Sequence, residues 1–263
     1  KEEGRKMKKL LKGLLIIAMA LTVTACGGDD KEVKNKETKT LTIGTSPDYE
    51  PYESLTKNNE IVGFDVDMVA LFEKYLSEEE GVDYKLEFKQ MDFDNIITQI
   101  QGDQVDLGIS GFTYDEKRVV EWSEPYLGSS QVAVLPKGSQ IKSVKDLEGK
   151  KLVAQTGATG ETAAKSVKNA SVTGLKNVQD IMNALAANQY DAAIIDLGVA
   201  KNYVANAEFT MLDESLLDEK NYIIAKQGNK EVIGKMNKCI AKFLESEDYQ
   251  KLCKKYDLSP LEK

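Results

Sequence analysis

Apolar positions along this chain switch between two spacings. Residues 41–44 (LTIG) form a short apolar run that reads as a strand, and 63–76 (GFDVDMVALFEKYL) place Val66, Val69, Ala70 and Leu76 near helical spacing. Tyr84, Leu86 and Phe88 then alternate with polar residues, as on a half-buried strand. In 93–102 (FDNIITQIQG), Ile96, Ile97 and Ile100 share one helical face, and Gly102 stops it. Another strand follows at 105–110 (VDLGIS). Strand–helix–strand alternation predicts parallel pairing in an α/β layer.

The pattern then comes back. Residues 96–110 (IITQIQGDQVDLGIS) align with 181–195 (IMNALAANQYDAAII), matching Gln104 to Gln189 and Asp106 to Asp191. Two α/β lobes of similar build are expected, without a strict repeat. Ligands of open α/β sheets bind outside the carboxyl ends of strands. Ser110 and Gly111 at one strand end, and Asp196 at the other, are therefore expected to face a common crevice.

The first strand end is chemically dense. Gly111 permits close approach to the backbone. Thr113-Tyr114-Asp115-Glu116 fits a capping box, which predicts a helix start there, with its free N–H groups and positive dipole end. Arg118 adds a planar fork suited to a carboxylate. Taken alone, the segment reads equally well as an anion clamp or as a capped helix with a solvated arginine. A second strand–turn–helix, 150–164 (KKLVAQTGATGETAA), puts Thr159 at a predicted helix N-terminus, without the spacing of a phosphate loop.

Composition narrows the chemistry by exclusion. The 263 residues are 41% hydrophobic, enough for one large domain or two modest ones, and carry a formal charge of −8. No basic stripe is present, so a nucleic-acid partner is not expected. Histidine is absent, which removes Ser-His-Asp and Cys-His catalysis and imidazole zinc sites. No metal site or cofactor is expected. Cys239 and Cys253 fall on neighbouring predicted helices, where they either sit as separate small hydrophobes or pair.

The first 25 residues read as an address. Met7 is followed by Lys8, Lys9 and Lys12 and then by GLLIIAMALTVTAC. The uncharged run ending at Cys26 is roughly fourteen residues, short of the roughly twenty that span a membrane. Residues 27–40 (GGDDKEVKNKETKT) are polar apart from Val33 and read as a tether. Val23-Thr24-Ala25-Cys26 resembles a bacterial lipobox, which implies cleavage before Cys26 and a lipid on its sulfur.

With these residues in view, the chain from Leu41 to about Leu258 resembles the family-3 extracellular solute-binding proteins of polar amino-acid ABC transporters. The resemblance rests on ordered segments: 44–54 (GTSPDYEPYES), 63–69 (GFDVDMV), 92–100 (DFDNIITQI), 108–118 (GISGFTYDEKR), 122–129 (WSEPYLGS), 146–161 (DLEGKKLVAQTGATGE) and 191–196 (DAAIID). It implies a type II periplasmic-binding-protein fold, with two α/β lobes joined by two crossing strands. Residues 41–128 and 222–263 would form lobe 1, and 129–221 lobe 2. It further implies that Arg118 and the amides of Thr113 and Thr159 hold a ligand α-carboxylate. Asp196, the Gly111 carbonyl and the Thr113 hydroxyl would hold the ammonium. Tyr49 and Phe93 would sandwich the ligand side chain, Ser110 and Gln155 would line the site, and Ser46, Asp48 and Tyr52 would bear on side-chain choice.

Two departures stand out. The second-lobe turn is Gly157-Ala158-Thr159 where the family commonly has another hydroxyl, and Ser46 replaces an acid often found in relatives selective for basic or amide side chains. The implied activity is capture of a free polar L-amino acid (arginine, lysine or glutamine) and delivery to the permease and ATPase of an ABC importer. The implied molecule is a lipid-anchored monomer on the outer face of the cytoplasmic membrane, and not an enzyme. The alternatives are a secreted dehydratase on the same fold and a receptor module for amino acids.

Overall fold

The computed structural model describes residues 37–205 and 208–261. The expected signal segment, Cys26 and most of the tether lie outside the described residues. The chain begins with β1 (Thr38–Thr45), β2 (Asp48–Tyr49), β3 (Glu53–Leu55), β4 (Ile61–Val62), α1 (Phe64–Glu80), β5 (Asp83–Gln90) and α2 (Phe93–Gln101). It continues through β6 (Leu107–Gly108), β7 (Val120–Pro136), β8 (Lys151–Gln155), α3 (Thr159–Ser166), β9 (Ser171–Leu175) and α4 (Val178–Ala186). Last come β10 (Ala192–Asp196), α5 (Leu197–Val204), β11 (Phe209–Lys226), α6 (Lys230–Glu245) and α7 (Glu247–Tyr256).

Eight strands form one sheet in the order β5-β1-β6-β11-β7-β10-β8-β9. Its centre is an antiparallel ribbon, β7 against β11, running from Val120↔Lys226 to Pro136↔Phe209. One end of the ribbon continues through β6 into parallel β1 and β5. The other continues through β10 into parallel β8 and β9. The architecture is two α/β halves joined by two crossing strands, as expected.

The internal likeness is physical as well as textual. Asp103 and Asn188 both turn left-handed after a helix, with φ of 56° and 53°. Gln104 N–H then donates to the Gln99 carbonyl, and Gln189 N–H to that of Ala184. Asp106 Oδ2 accepts from the Thr42 amide of β1 at 2.7 Å, and Asp191 Oδ2 from the Lys151 amide of β8 at 2.8 Å. Each aspartate thus ties its own strand to the parallel neighbour.

The helices form where apolar side chains share a face. The buried face of α1 is Phe64, Met68, Val69, Phe72 and Leu76. Val66 is only half-buried and Ala70 is exposed, contrary to the expected face, because the larger Phe64–Met68–Phe72 row turns inward. Gly63, at φ 143°, begins this helix where a Cβ would meet the Tyr52 carbonyl oxygen. On α6, Val232, Met236, Ile240 and Phe243 join the same core. Cys239 and Cys253 are buried and unpaired, so they are separate hydrophobes, and burial pushes their thiols up to about 12 and about 11. Among the described residues no helix is long and apolar enough to cross a membrane.

Candidate functional site

The carboxyl ends of the strands meet beside the crossing ribbon. Tyr49, Phe93, Ser110, Gly111, Thr113, Arg118, Gln155 and Thr159 line one cavity, together with Gln131 and Ala158. Its volume is about 10 Å³, room for a single water. Anything larger requires the facing residues to separate.

Arg118 is the cation of this lining. Its Nη1 donates to the Thr113 carbonyl at 2.7 Å and its Nη2 to the Gly157 carbonyl at 2.8 Å. The guanidinium also lies 5.7 Å from the Phe93 ring centre and 5.4 Å from that of Phe112. These two rings stack at 4.7 Å, so the cation has an aromatic wall. Burial pulls the Arg118 pKa down, against the nearby Asp115 and Glu219.

The helix expected from Thr113 does not form. Thr113 bridges to Asn221 of β11, the Tyr222 amide donates to the Phe112 carbonyl, and Asp115 turns back to accept from the Lys117 amide. The capping-box residues therefore serve a tertiary bridge and a local turn, which compete with a helix. Arg118 is carried on an irregular segment and gains no helix dipole. At the other strand end the helix does form: α3 starts at Thr159, and its preceding residue Ala158 offers no side-chain cap. The Thr113 and Thr159 hydroxyls are 2.8 Å apart.

Asp196 is not among the lining residues. It is 2% exposed and caps α5, its Oδ1 accepting from the Gly198 and Val199 amides and from the Tyr52 hydroxyl. Its Oδ2 accepts a very short bond from the Ser129 hydroxyl. Burial raises its pKa against these donors. Tyr52 is thus a partner of Asp196 and stacks on Tyr49 at 5.7 Å. Tyr49 and Phe93 share the cavity but have separate ring partners.

Ser46 and Asp48 also stand outside the lining, close behind it. The Ser46 hydroxyl donates to Asp48 Oδ1 at 2.7 Å. Asp48 Oδ2 accepts from the Val178 amide at 2.8 Å and from Gln155 Nε2 at 3.4 Å. Burial raises the Asp48 pKa, opposed by these donors.

Sequence reasoning missed two groups. On the ribbon, Gln131 and Glu219 bond each other at 2.6 Å beside Thr159. Behind Ser110 lies a pair of fully buried carboxyls, Glu53 and Asp65, each 0% exposed. The Ser46 amide donates to Ser110 Oγ, which donates in turn to Glu53 Oε1 at 2.6 Å. Tyr126 donates to Asp65 at 3.0 Å, and the Gly111 amide also supports the Asp65 charge. Burial pushes Glu53 well above the usual carboxylate range and Asp65 up to about 7. Among the described residues no donor reaches Glu53 Oε2. A proton held on Glu53 and donated to Asp65 removes that conflict, so the pair shares one proton.

Gly111 sits between this pair and the cavity at φ 58°, where a Cβ would stand 3.2 Å from Tyr49 Cε1. The arrangement offers one cation, several hydroxyls and amides, and aromatic walls at a place where two halves meet. Such a lining suits recognition of a small polar molecule.

Comparison with known proteins agrees with this geometry. Over 260 residues the chain is 32% identical to the arginine-binding extracellular protein ArtP of Bacillus subtilis (strain 168), covering 95% of this chain and 98% of the relative. It is 28% identical to a probable histidine-binding protein of Neisseria gonorrhoeae, covering 95% and 96% of the two chains. An ancestral arginine-binding protein solved with arginine superposes with a TM-score of 0.74 at 33% identity, over 82% of this chain and 97% of that one. Residues 41–259 match the family profile throughout, and the chain belongs to the bacterial extracellular solute-binding proteins, family 3.

Proposed function

We propose that this protein captures a free polar L-amino acid between its two halves and hands it to the membrane permease of an ABC importer. The observation that carries the reading is Arg118, a half-buried guanidinium on an aromatic wall, facing the start of α3 across a cavity ringed by hydroxyls. Its two carbonyl partners are neutral, so a carboxylate is the stronger acceptor for its fork. Residues 41–128 with 222–263 move as one lobe, and 129–221 as the other, about the β7–β11 ribbon. Closure expels water and strengthens charge pairs in the site.

The side-chain end of the ligand points towards Ser46, Asp48 and Gln155. Asp48 supplies negative charge there, which favours arginine or lysine over glutamine. The arginine-binding relatives support the same choice. Capture without chemistry fits a lining whose side chains, Arg118 apart, are aromatic, hydroxyl, amide or small. A lipid on Cys26 would hold the protein, as a monomer, at the outer face of the membrane, with residues 27–40 as its leash.

A thermal-shift screen against the twenty amino acids tests the reading, since a ligand of the folded state raises Tm. Calorimetry then gives the affinity; a micromolar constant corresponds to about 8 kcal/mol. No shift with any amino acid refutes capture.

A further inference from the structure

The segment after α7 reaches across the molecule. Asp257 turns left-handed at φ 52°, and the Leu258 amide closes the helix by donating to the Cys253 carbonyl at 2.9 Å. The Ser259 carbonyl accepts from the Gly128 amide of β7 at 3.1 Å. The Leu261 amide donates to the Tyr249 hydroxyl of α7 at 2.7 Å. Residues 257–261 are thus moored to α7 at both ends and to the ribbon in between.

From there the segment touches α5, in the other half. Lys201 Nζ reaches the Asp257 carbonyl at 3.1 Å and its carboxylate at 3.2 Å. Leu258 is buried and lies against Gly198, where an added Cβ would stand 2.6 Å from Leu258 Cδ2. Gly198 lies in a helix without a left-handed φ, where alanine would be the better helix former. The glycine therefore serves the close approach. The same Cβ would stand 3.1 Å from both Asp196 Oδ1 and the Tyr52 hydroxyl. Leu258, Gly198, Asp196 and Tyr52 form one packed stack, and its two outer members come from the half that carries α1 and α7.

We propose that Leu258 is a positioning residue of the capture site: it presses the first turn of α5 against Tyr52 and so fixes the aim of Asp196 at the α-ammonium of the captured amino acid. The inference rests on the capture reading, with Asp196 as the ammonium acceptor. Asp196 Oδ1 already accepts from Tyr52, Gly198 and Val199. Oδ2 has one partner among the described residues, the Ser129 hydroxyl, and so keeps an acceptor site. Held by Tyr52 through a hydrogen bond and by Leu258 through packing, the carboxylate keeps its direction while the rest of its half moves. Leu258 and Gly198 also border a groove of about 930 Å³ behind the ribbon. That groove is the room into which the turn shifts once the leucine is trimmed.

The test compares ligands that differ only in the α-amino group: L-arginine against 5-guanidinopentanoate, L-lysine against 6-aminohexanoate, and L-glutamine against glutaramate. Calorimetry is run on the wild-type protein, Asp196→Asn, Leu258→Ala, Leu258→Met and Gly198→Ala, with Tm recorded for each. Asp196→Asn sets the scale: it should weaken the amino acid by about 30-fold or more and leave the des-amino analogue within about threefold. Leu258→Ala should narrow the ratio between the two ligands by about tenfold, part of that full loss. Leu258→Met, which keeps the volume, should restore it. Gly198→Ala displaces the same turn without opening a cavity and should narrow the ratio too, which keeps the test decisive should Leu258→Ala fail to fold. A purely structural leucine would lower Tm and leave the ratio alone. An unchanged ratio in Leu258→Ala and Gly198→Ala, or equal losses for both ligands of a pair, therefore overturns the assignment. A wild-type ratio in Asp196→Asn removes its premise. Wild-type protein that binds none of the three amino acids refutes the capture reading instead.

Discussion

The buried acid pair behind Ser110 yields a sharp prediction. Glu53 and Asp65 share one proton, and burial lifts both above the ordinary carboxylate range. A raised midpoint means that the folded protein takes up the proton before the unfolded chain does. The resulting stabilisation is complete below the unfolded value and is lost as pH rises through the folded one. For Asp65, a midpoint moved from 3.8 to about 7 corresponds to about 4 kcal/mol. Between pH 5 and 8 the share lost is about 3 kcal/mol, or roughly 6–12 °C in Tm for a domain of this size. The chain has no histidine, so the usual titrating group of this range is missing. Asp65→Asn removes the group whose midpoint burial moves to about 7 and keeps an acceptor for Tyr126. Its Tm should fall less steeply than the wild-type value from pH 5 to 8, by about the Asp65 share. Calorimetric melting of both proteins across that range is the assay. If the variant keeps the full wild-type slope, Asp65 is not the group that titrates in this range.

Other predictions follow from single contacts. Arg118→Ala should cost about 2–5 kcal/mol of amino-acid affinity by leaving a desolvated carboxylate unpaired; calorimetry with unchanged binding would remove the clamp. Gly111→Ala forces a left-handed residue against the Tyr49 ring, at a cost of about 1–2 kcal/mol, read as a lower Tm. Tyr52→Phe removes one of the donors to Asp196 and should cost about 1–2 kcal/mol of stability, read as a lower Tm. Lys235 and Tyr84 hold the Glu80 carboxyl down to about 2. That support is present above the unfolded midpoint and fades as pH falls towards 2, so Lys235→Met should lower Tm slightly at pH 7 and hardly at all at pH 2.

The scaffold was legible because its periods are long and clean. The α2 and α4 faces, and the aspartates that open β6 and β10, could be read directly. The reading failed where tertiary contacts outweigh local signals. Thr113–Glu116 carries a helix-start pattern, but the bridge to Asn221 and the Asp115 turn consume the same groups. Asp65 reads as an ordinary first-turn acid of α1, and nothing local says that Glu53 lies against it. Gln131 follows Ser129 and Ser130, a polar stretch just before the apolar run Val132–Leu135, and that stretch was the available signal. Glu219 lies in a run of charged residues, 218–220, which looks solvated until the opposite strand is known.

The two halves share a scaffold but end their equivalent strands differently, and that asymmetry creates the site. After β6 the chain turns through Ser110 and Gly111 into the irregular segment that carries Arg118. After β10 it enters α5 at once, and Asp196 serves as the cap. Contacts between facing residues then reuse the recognition groups. Thr113 touches Thr159, Arg118 reaches the Gly157 carbonyl, and Asp48 accepts from Val178 and Gln155. In the capture reading, a ligand carboxylate competes with the Gly157 carbonyl for Arg118, and a ligand ammonium competes with the Thr159 hydroxyl for that of Thr113. Binding therefore exchanges neutral acceptors and donors for charged ones at the same atoms, and affinity reflects the difference between the two sets rather than the sum of the new bonds. Lys176, which reaches Asp92 and Asp94 at 3.1 and 3.4 Å, stays outside this exchange. It can hold the halves together whether or not the recognition groups have changed partners.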